Sequence, residues 1–202
     1  MVKKRLDDLV AATSEVAALH EHFDTLGVRY LVAQDALSVY VNHDNPVRDL
    51  SIEQLRGIFD GSLSRWSMVG GSSRDVVVII RPPSSGSHRF FRDHVLSGAP
   101  YSSRAVAVPT TRGVLMAVED DSAAIGYGGV AYRLEGVRQI SVDGFAPTPE
   151  NVGLDRYALA RYLVFYTASP ATGVARRFID WCLSTDGQRV VEEVGYIPLW
   201  EN

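Results

Sequence analysis

The chain has 202 residues, 46% of them hydrophobic and 22% charged, and a formal net charge of −4, the composition of one large globular domain or two small ones. The mild acidity argues against a general nucleic-acid surface, and the arginines Arg81, Arg89, Arg92, Arg104 and Arg112 read as local features rather than a basic stripe. The single cysteine, Cys182, excludes a disulfide within the chain, and neither a signal peptide nor a membrane-spanning run is visible after Met1-Val2-Lys3-Lys4-Arg5, which implies a cytosolic protein or a trimmed chain.

Apolar residues at Leu6, Leu9, Val10, Val16, Leu19, Phe23 and Leu26 recur at three and four, which predicts a helix over 2–26 capped by Gly27. Val28 to Val41 is strand-rich, interrupted by Asp35. Two readings stand for that carboxylate: a turn between two strands, or a buried group that needs a partner. Asn42 to Pro46 is a turn, and Ser51 caps a short helix over 52–59. A loop over 61–74 holds Trp66, and a buried strand follows over 75–80. A helix is expected over 86–96 and a helical or extended segment over 106–118. Ala124-Ile125-Gly126-Tyr127-Gly128 reads as a strand with close backbone approach, Val137 to Val142 and Leu163 to Thr167 as strands, and 171–183 and 185–194 as helices. Cys182, in the apolar context Phe178 to Leu183, reads as a buried structural thiol. Strands alternating with helices predict an α/β fold.

The segment from Val77 to Phe91 carries the chemistry. A strand ends at Arg81, turns through Pro82-Pro83-Ser84-Ser85-Gly86-Ser87 and opens a helix. The start of a helix has unpaired N–H groups and the positive end of the macrodipole. Arg81 adds a forked cationic donor, and Ser85, Gly86 and Ser87 add hydroxyls and room for close approach, the makings of an oxyanion site. The same Ser and Gly types serve equally as turn and N-cap residues with no ligand. Lysine occurs only as Lys3 and Lys4, so a P-loop is excluded. An enzyme with Ser85 as nucleophile, His88 as base and Asp35 as orienter is the rival class. His20, His22, His43 and His94 lack metal-ligand spacing, so neither metal nor cofactor is implied.

From about residue 27 to its end the chain resembles the phosphate-binding proteins of bacterial ABC transporters, within the type II periplasmic-binding-protein fold. The matching segments are Val32 to Val39; Asn45-Pro46 with Leu50 to Gly61 and Trp66; Arg81 with Ser85-Gly86-Ser87; Ala124 to Tyr127; Pro147 to Val152; and Ser184 to Gln188 with Gly195 to Leu199. The resemblance implies an α/β protein of two lobes joined by two crossing strands, near Asp35–Val41 and Val137–Phe145. Residues 38–136 would form lobe II, and 1–37 with 137–202 a remnant of lobe I. The first lobe is expected to be incomplete, because the family's first strand and its Ser/Thr-rich helix start have no match in the chain.

By the same resemblance the phosphate ligands map onto Asp35, Arg81, Ser85, Gly86 and Ser87. Ser87 stands where Thr is usual, Ala36 where Gly often follows the aspartate, and Pro83 where some members carry an Asp that orients the arginine, so Arg81 is expected to be less constrained. Asp35 would favour phosphate over sulfate, because a carboxylate tolerates an anion that brings a proton and repels one that does not. The implied function is the non-enzymatic solute-binding component of a phosphate ABC transporter. Its partners would be inorganic phosphate and the membrane permease, at the periplasmic or extracellular face of the cell membrane. No nucleic-acid partner is expected. Missing donors would weaken phosphate binding, at about 1.5–3 kcal/mol for each lost charge-assisted hydrogen bond. The alternative is a sensing or interaction module with the same fold and little phosphate affinity. An exposed edge of an incomplete lobe would favour a homo-oligomer.

Overall fold

The computed structural model describes residues 27–200, and the helix expected over 2–26 lies outside them. The described residues divide into two compact units, one continuous over Ala36–Ala160 and one that joins 27–35 with 161–200. Among the described residues no helix is long and apolar enough to cross a membrane.

One strand contributes to both units. β1 runs unbroken over Val28–Asn42, and every residue from Val32 on is buried. A nearly continuous apolar run suits a strand covered on both faces. The turn reading of Asp35 is therefore overturned, and the carboxylate sits inside a strand.

In the continuous unit the strand order is β2-β6-β1-β5-β3-β4, with β2 at Asp49–Leu50, β3 at Val77–Ile80, β4 at Val106–Ala107, β5 at Ala124–Gly129 and β6 at Val137–Val142. β1 lies antiparallel to both neighbours, with Val39 opposite Tyr127 on β5 and opposite Ile140 on β6. β3 runs parallel to β4 and β5. The segment expected as the second crossing thus lies beside β1, but it pairs there with Val39–Asn42 and on its other edge with β2, and stays within the continuous unit. The chain passes between the units at Asp35–Ala36 and again at Ala160–Arg161, the start of β7 (Ala160–Thr167). The stretch 137–160, expected with the other lobe, belongs with 36–136. Tyr157 helps hold it there, its hydroxyl donating to the Leu37 carbonyl at 3.0 Å.

The helices of this unit follow from local chemistry. α1 (Ile52–Asp60) starts at a capping box: Gln54 N–H donates to the Ser51 hydroxyl, and Ser51 N–H to the Gln54 side chain. It ends at Gly61, whose φ of 90° suits a residue without Cβ. Trp66 in the following loop is fully buried, and its indole N–H donates to the Ala123 carbonyl at 2.8 Å. α2 spans Gly86–His94. The stretch expected as helical or extended is both in turn: β4, then α3 (Thr111–Asp120) capped by Thr110. α4 (Pro149–Gly153) has Pro in its first turn and Thr148 as its cap. Val114, Leu115 and Val118 of α3 pack with Tyr40, Ile79 and Ala124 as a core cluster.

In the second unit β7 pairs with β1, and α5 (Gly173–Cys182) and α6 (Thr185–Glu193) follow. Gln188 on α6 is fully buried; its amide donates to the carbonyls of Val32 and Cys182 and its oxygen accepts from Leu199 N–H. Cys182 is half-buried rather than enclosed, because it closes α5 at its C-terminal end.

Candidate functional site

Arg81, Ser85, Gly86 and Ser87 all belong to the continuous unit, at the carboxyl end of β3, where the chain leaves the sheet and enters α2. In open α/β sheets that end of the strands is where ligands collect. Pro82 and Ser85 close a turn, with Ser85 N–H donating to the Pro82 carbonyl at 2.9 Å. Ser85 occupies the N-cap of α2, yet its hydroxyl makes no capping bond. The N–H groups of Gly86 and Ser87 fall within the first turn, where a helix offers no carbonyl partners. Basic Arg92 and His94 fill the last turn, complementing the other end of the dipole.

The Arg81 side chain is anchored from an element the sequence did not point to. Its Nη1 donates to the Thr111 hydroxyl at 2.8 Å, from the first residue of α3. Its Nε is enclosed with no hydrogen-bond partner among the described residues. Burial lowers the affinity of the guanidinium for its proton, and Tyr127 and Tyr132 oppose that shift; an arginine remains charged regardless. The expectation of a loosely constrained Arg81, drawn from Pro83, is corrected: Thr111 supplies the restraint.

Three aromatic side chains brace the loop. His88 Nδ1–H donates to the Arg81 carbonyl at 2.7 Å and ties the end of β3 to the first turn of α2. Tyr101 donates to the His88 carbonyl at 2.9 Å, and its hydroxyl lies 3.1 Å from that of Tyr127. Tyr127 stacks on Phe91 with centroids 4.2 Å apart. Burial pushes both phenols well above the usual tyrosine range, so both stay neutral, and it pulls His88 below the usual histidine value. The order strand, Arg, Ser-Gly-Ser, helix was legible because it is local. Thr111, Tyr101 and Tyr127 were not, and only Thr111, just inside a helix that follows a parallel strand, carries a sequence signal of position.

Asp35 lies in the other unit. Arg161 donates to its Oδ2 through Nε at 3.0 Å and Nη2 at 2.7 Å, and the aspartate side chain is only 6% exposed. The partner that a buried carboxylate requires is thus found at the first residue of the returning segment.

With this geometry in hand, three kinds of likeness bear on the chain. Residues 8–186 match the family model described as the PBP superfamily domain. The phosphate-binding protein PstS of Bacillus subtilis (strain 168) is 33% identical over 174 residues, 85% of this chain and 58% of that protein. PstS of Pseudomonas aeruginosa PAO1 is 26% identical over 207 residues, 92% of this chain and 64% of that protein. The chain therefore spans about three-fifths of the length of these relatives. Among solved structures, an ABC-type phosphate transport receptor from Vibrio cholerae superposes with a TM-score of 0.79 at 26% identity, over 85% of this chain and 72% of the receptor. PstS from Borrelia burgdorferi gives a TM-score of 0.76 at 26% identity, over 90% of this chain and 76% of that one. The α/β order and the match over 8–186 make this chain a member of the PBP superfamily.

Proposed function

We propose that the chain binds inorganic phosphate through Arg81 and the helix start Ser85-Gly86-Ser87, as the solute-binding component of a phosphate ABC transporter. It would act with the membrane permease at the periplasmic or outer face of the membrane, and without catalysis. The observation that carries the reading is Arg81 itself: a charged guanidinium, held by Thr111 at the carboxyl end of β3, beside a nine-residue helix whose N-cap serine spends no hydrogen bond on capping. Tetrahedral oxyanions are met by this combination of fork and helix start. The relatives named as phosphate-binding proteins support phosphate among such anions. A two-lobed solute-binding arrangement is part of the same proposal, with Asp35 as the proton-accepting group. Self-association through an exposed sheet edge is carried with it.

Calorimetric titration of the full chain with phosphate, and with sulfate in competition, tests the reading. Arg81→Ala is expected to weaken every oxyanion by at least about tenfold, the loss of one charge-assisted hydrogen bond or more. Asp35→Asn is expected to raise sulfate relative to phosphate, since the amide no longer repels an anion without a proton. An unchanged ratio, with only a lower melting temperature, would leave Asp35 as the structural partner of Arg161. A sensing or interaction module with the same fold is the second reading, favoured if neither anion binds at millimolar concentration.

A further inference from the structure

We infer that Thr111 is the positioning residue that sets the plane of the Arg81 guanidinium for its anion; the role of the anion rests on the phosphate reading above. Guanidinium donors point in fixed directions within one plane, so an arginine serves a tetrahedral oxyanion well only when that plane is held. Pro83 has no polar side chain with which to hold it. Thr111 Oγ1 takes Nη1 at 2.8 Å, and Nε is enclosed, which leaves Nη2 as the end of the fork without a bond among the described residues.

Thr111 is in turn held by its surroundings. It is buried, and it follows Thr110, which caps α3 by accepting from Gly113 N–H, so Thr111 is not needed as the cap. Its methyl occupies the space that a Cβ at Gly128 would fill, with the Tyr40 ring beside it. A β-branched side chain whose methyl is wedged has its χ1 fixed, and its hydroxyl is then fixed too. Gly128 on β5 therefore acts through the Thr111 methyl to aim Oγ1 at Arg81, across an arrangement of three elements.

The test uses the full chain labelled with 15N and 13C at arginine, in Thr111→Val and Thr111→Ser. Hindered rotation about Nε–Cζ separates the Nη1 and Nη2 resonances of an arginine; free rotation averages them. Without any anion, Arg81 is expected to show a separated pair in the wild type and in Thr111→Ser, and an averaged signal in Thr111→Val. In phosphate titrations Thr111→Val should raise Kd about tenfold, Thr111→Ser should stay within about threefold, and Thr111→Val should add nothing in an Arg81→Ala background. An Arg81 pair that survives in Thr111→Val overturns the inference, as does an equal loss of affinity in the Ser and Val variants. A separated pair that collapses in Thr111→Val, in a wild type that takes up no phosphate, upholds the positioning role and sinks the phosphate reading instead.

Discussion

His88 shows how one side chain can define a loop. Its ring donates to the Arg81 carbonyl and lies against Tyr101 with centroids 4.5 Å apart. The sequence offers it as a catalytic base for Ser85; in the structure its Nδ1–H is committed to the Arg81 carbonyl. Burial, with Arg92 and Arg89 nearby, makes the folded protein resist protonating this imidazole, against the pull of its bond to Arg81 and of Asp93. The unfolded chain takes up that proton near pH 6.5. Between the two values the unfolded state binds more protons, so stability is full above about pH 6.5 and falls as the pH drops through the lowered folded value. Melting temperatures between pH 7 and pH 5 should therefore fall more steeply in the wild type than in His88→Gln. Parallel pH profiles would show that burial at this site does not govern its titration. The proposed anion residues Arg81, Ser85, Gly86 and Ser87 could be read from the chain because they fall within one seven-residue stretch at the end of β3. Thr111, thirty positions away from the arginine it holds, could not.

Among the elements, β5 is the most tightly constrained by composition. It lies between β1 and β3 and packs on α3. A Cβ built on Gly126 would stand 2.5 Å from Val114 Cγ1 and 3.3 Å from the Ile79 carbonyl oxygen. Neither can give way readily: Val114 is fully buried and the carbonyl is backbone. Gly126→Ala should destabilise the protein by about 1–3 kcal/mol in urea denaturation, the cost of overpacking a filled core. A glycine replaced in a strand without crowding would gain about 0.4–1 kcal/mol from chain entropy, so a rise in midpoint would refute the packing account. The close approach at Gly126 and Gly128 was legible as glycine spacing within an apolar run. The short strands β2 and β4, with two residues each, were not, because pairing alone makes them strands.

At the scale of the whole molecule, the second unit is assembled from two distant pieces of chain. The Asp35–Arg161 pair joins them at their boundary residues, with backbone pairing between Gln34 and Ile197 and the Gln188 bond to Val32 alongside. Removing one member of a buried pair strands the other, at a cost of about 3–5 kcal/mol. Arg161→Ala should approach that cost in equilibrium denaturation, and adding Asp35→Ala to it should recover part of the loss. A double variant no more stable than Arg161→Ala alone would mean that the aspartate is not harmed by losing its partner. The positions of Asp35 and Arg161 in sequence do not announce the pair; the passage at Asp35–Ala36 falls where the resemblance places the first crossing, and the one at Ala160–Arg161 lies beyond the second.

Local order and period came from the chain alone: β1, the strand–loop–helix with its arginine, the glycine strand and the paired C-terminal helices are each written in neighbouring residues, where spacing and capping chemistry act directly. Packing supplied what depends on distant partners. It ran β1 straight through Asp35 by giving that carboxylate Arg161, kept β6 within the continuous unit by pairing it with β1 and β2, and brought Thr111 to Arg81 across β5. A buried charge or an unheld guanidinium states only that a partner is required; which residue answers depends on how the strands are ordered in the sheet.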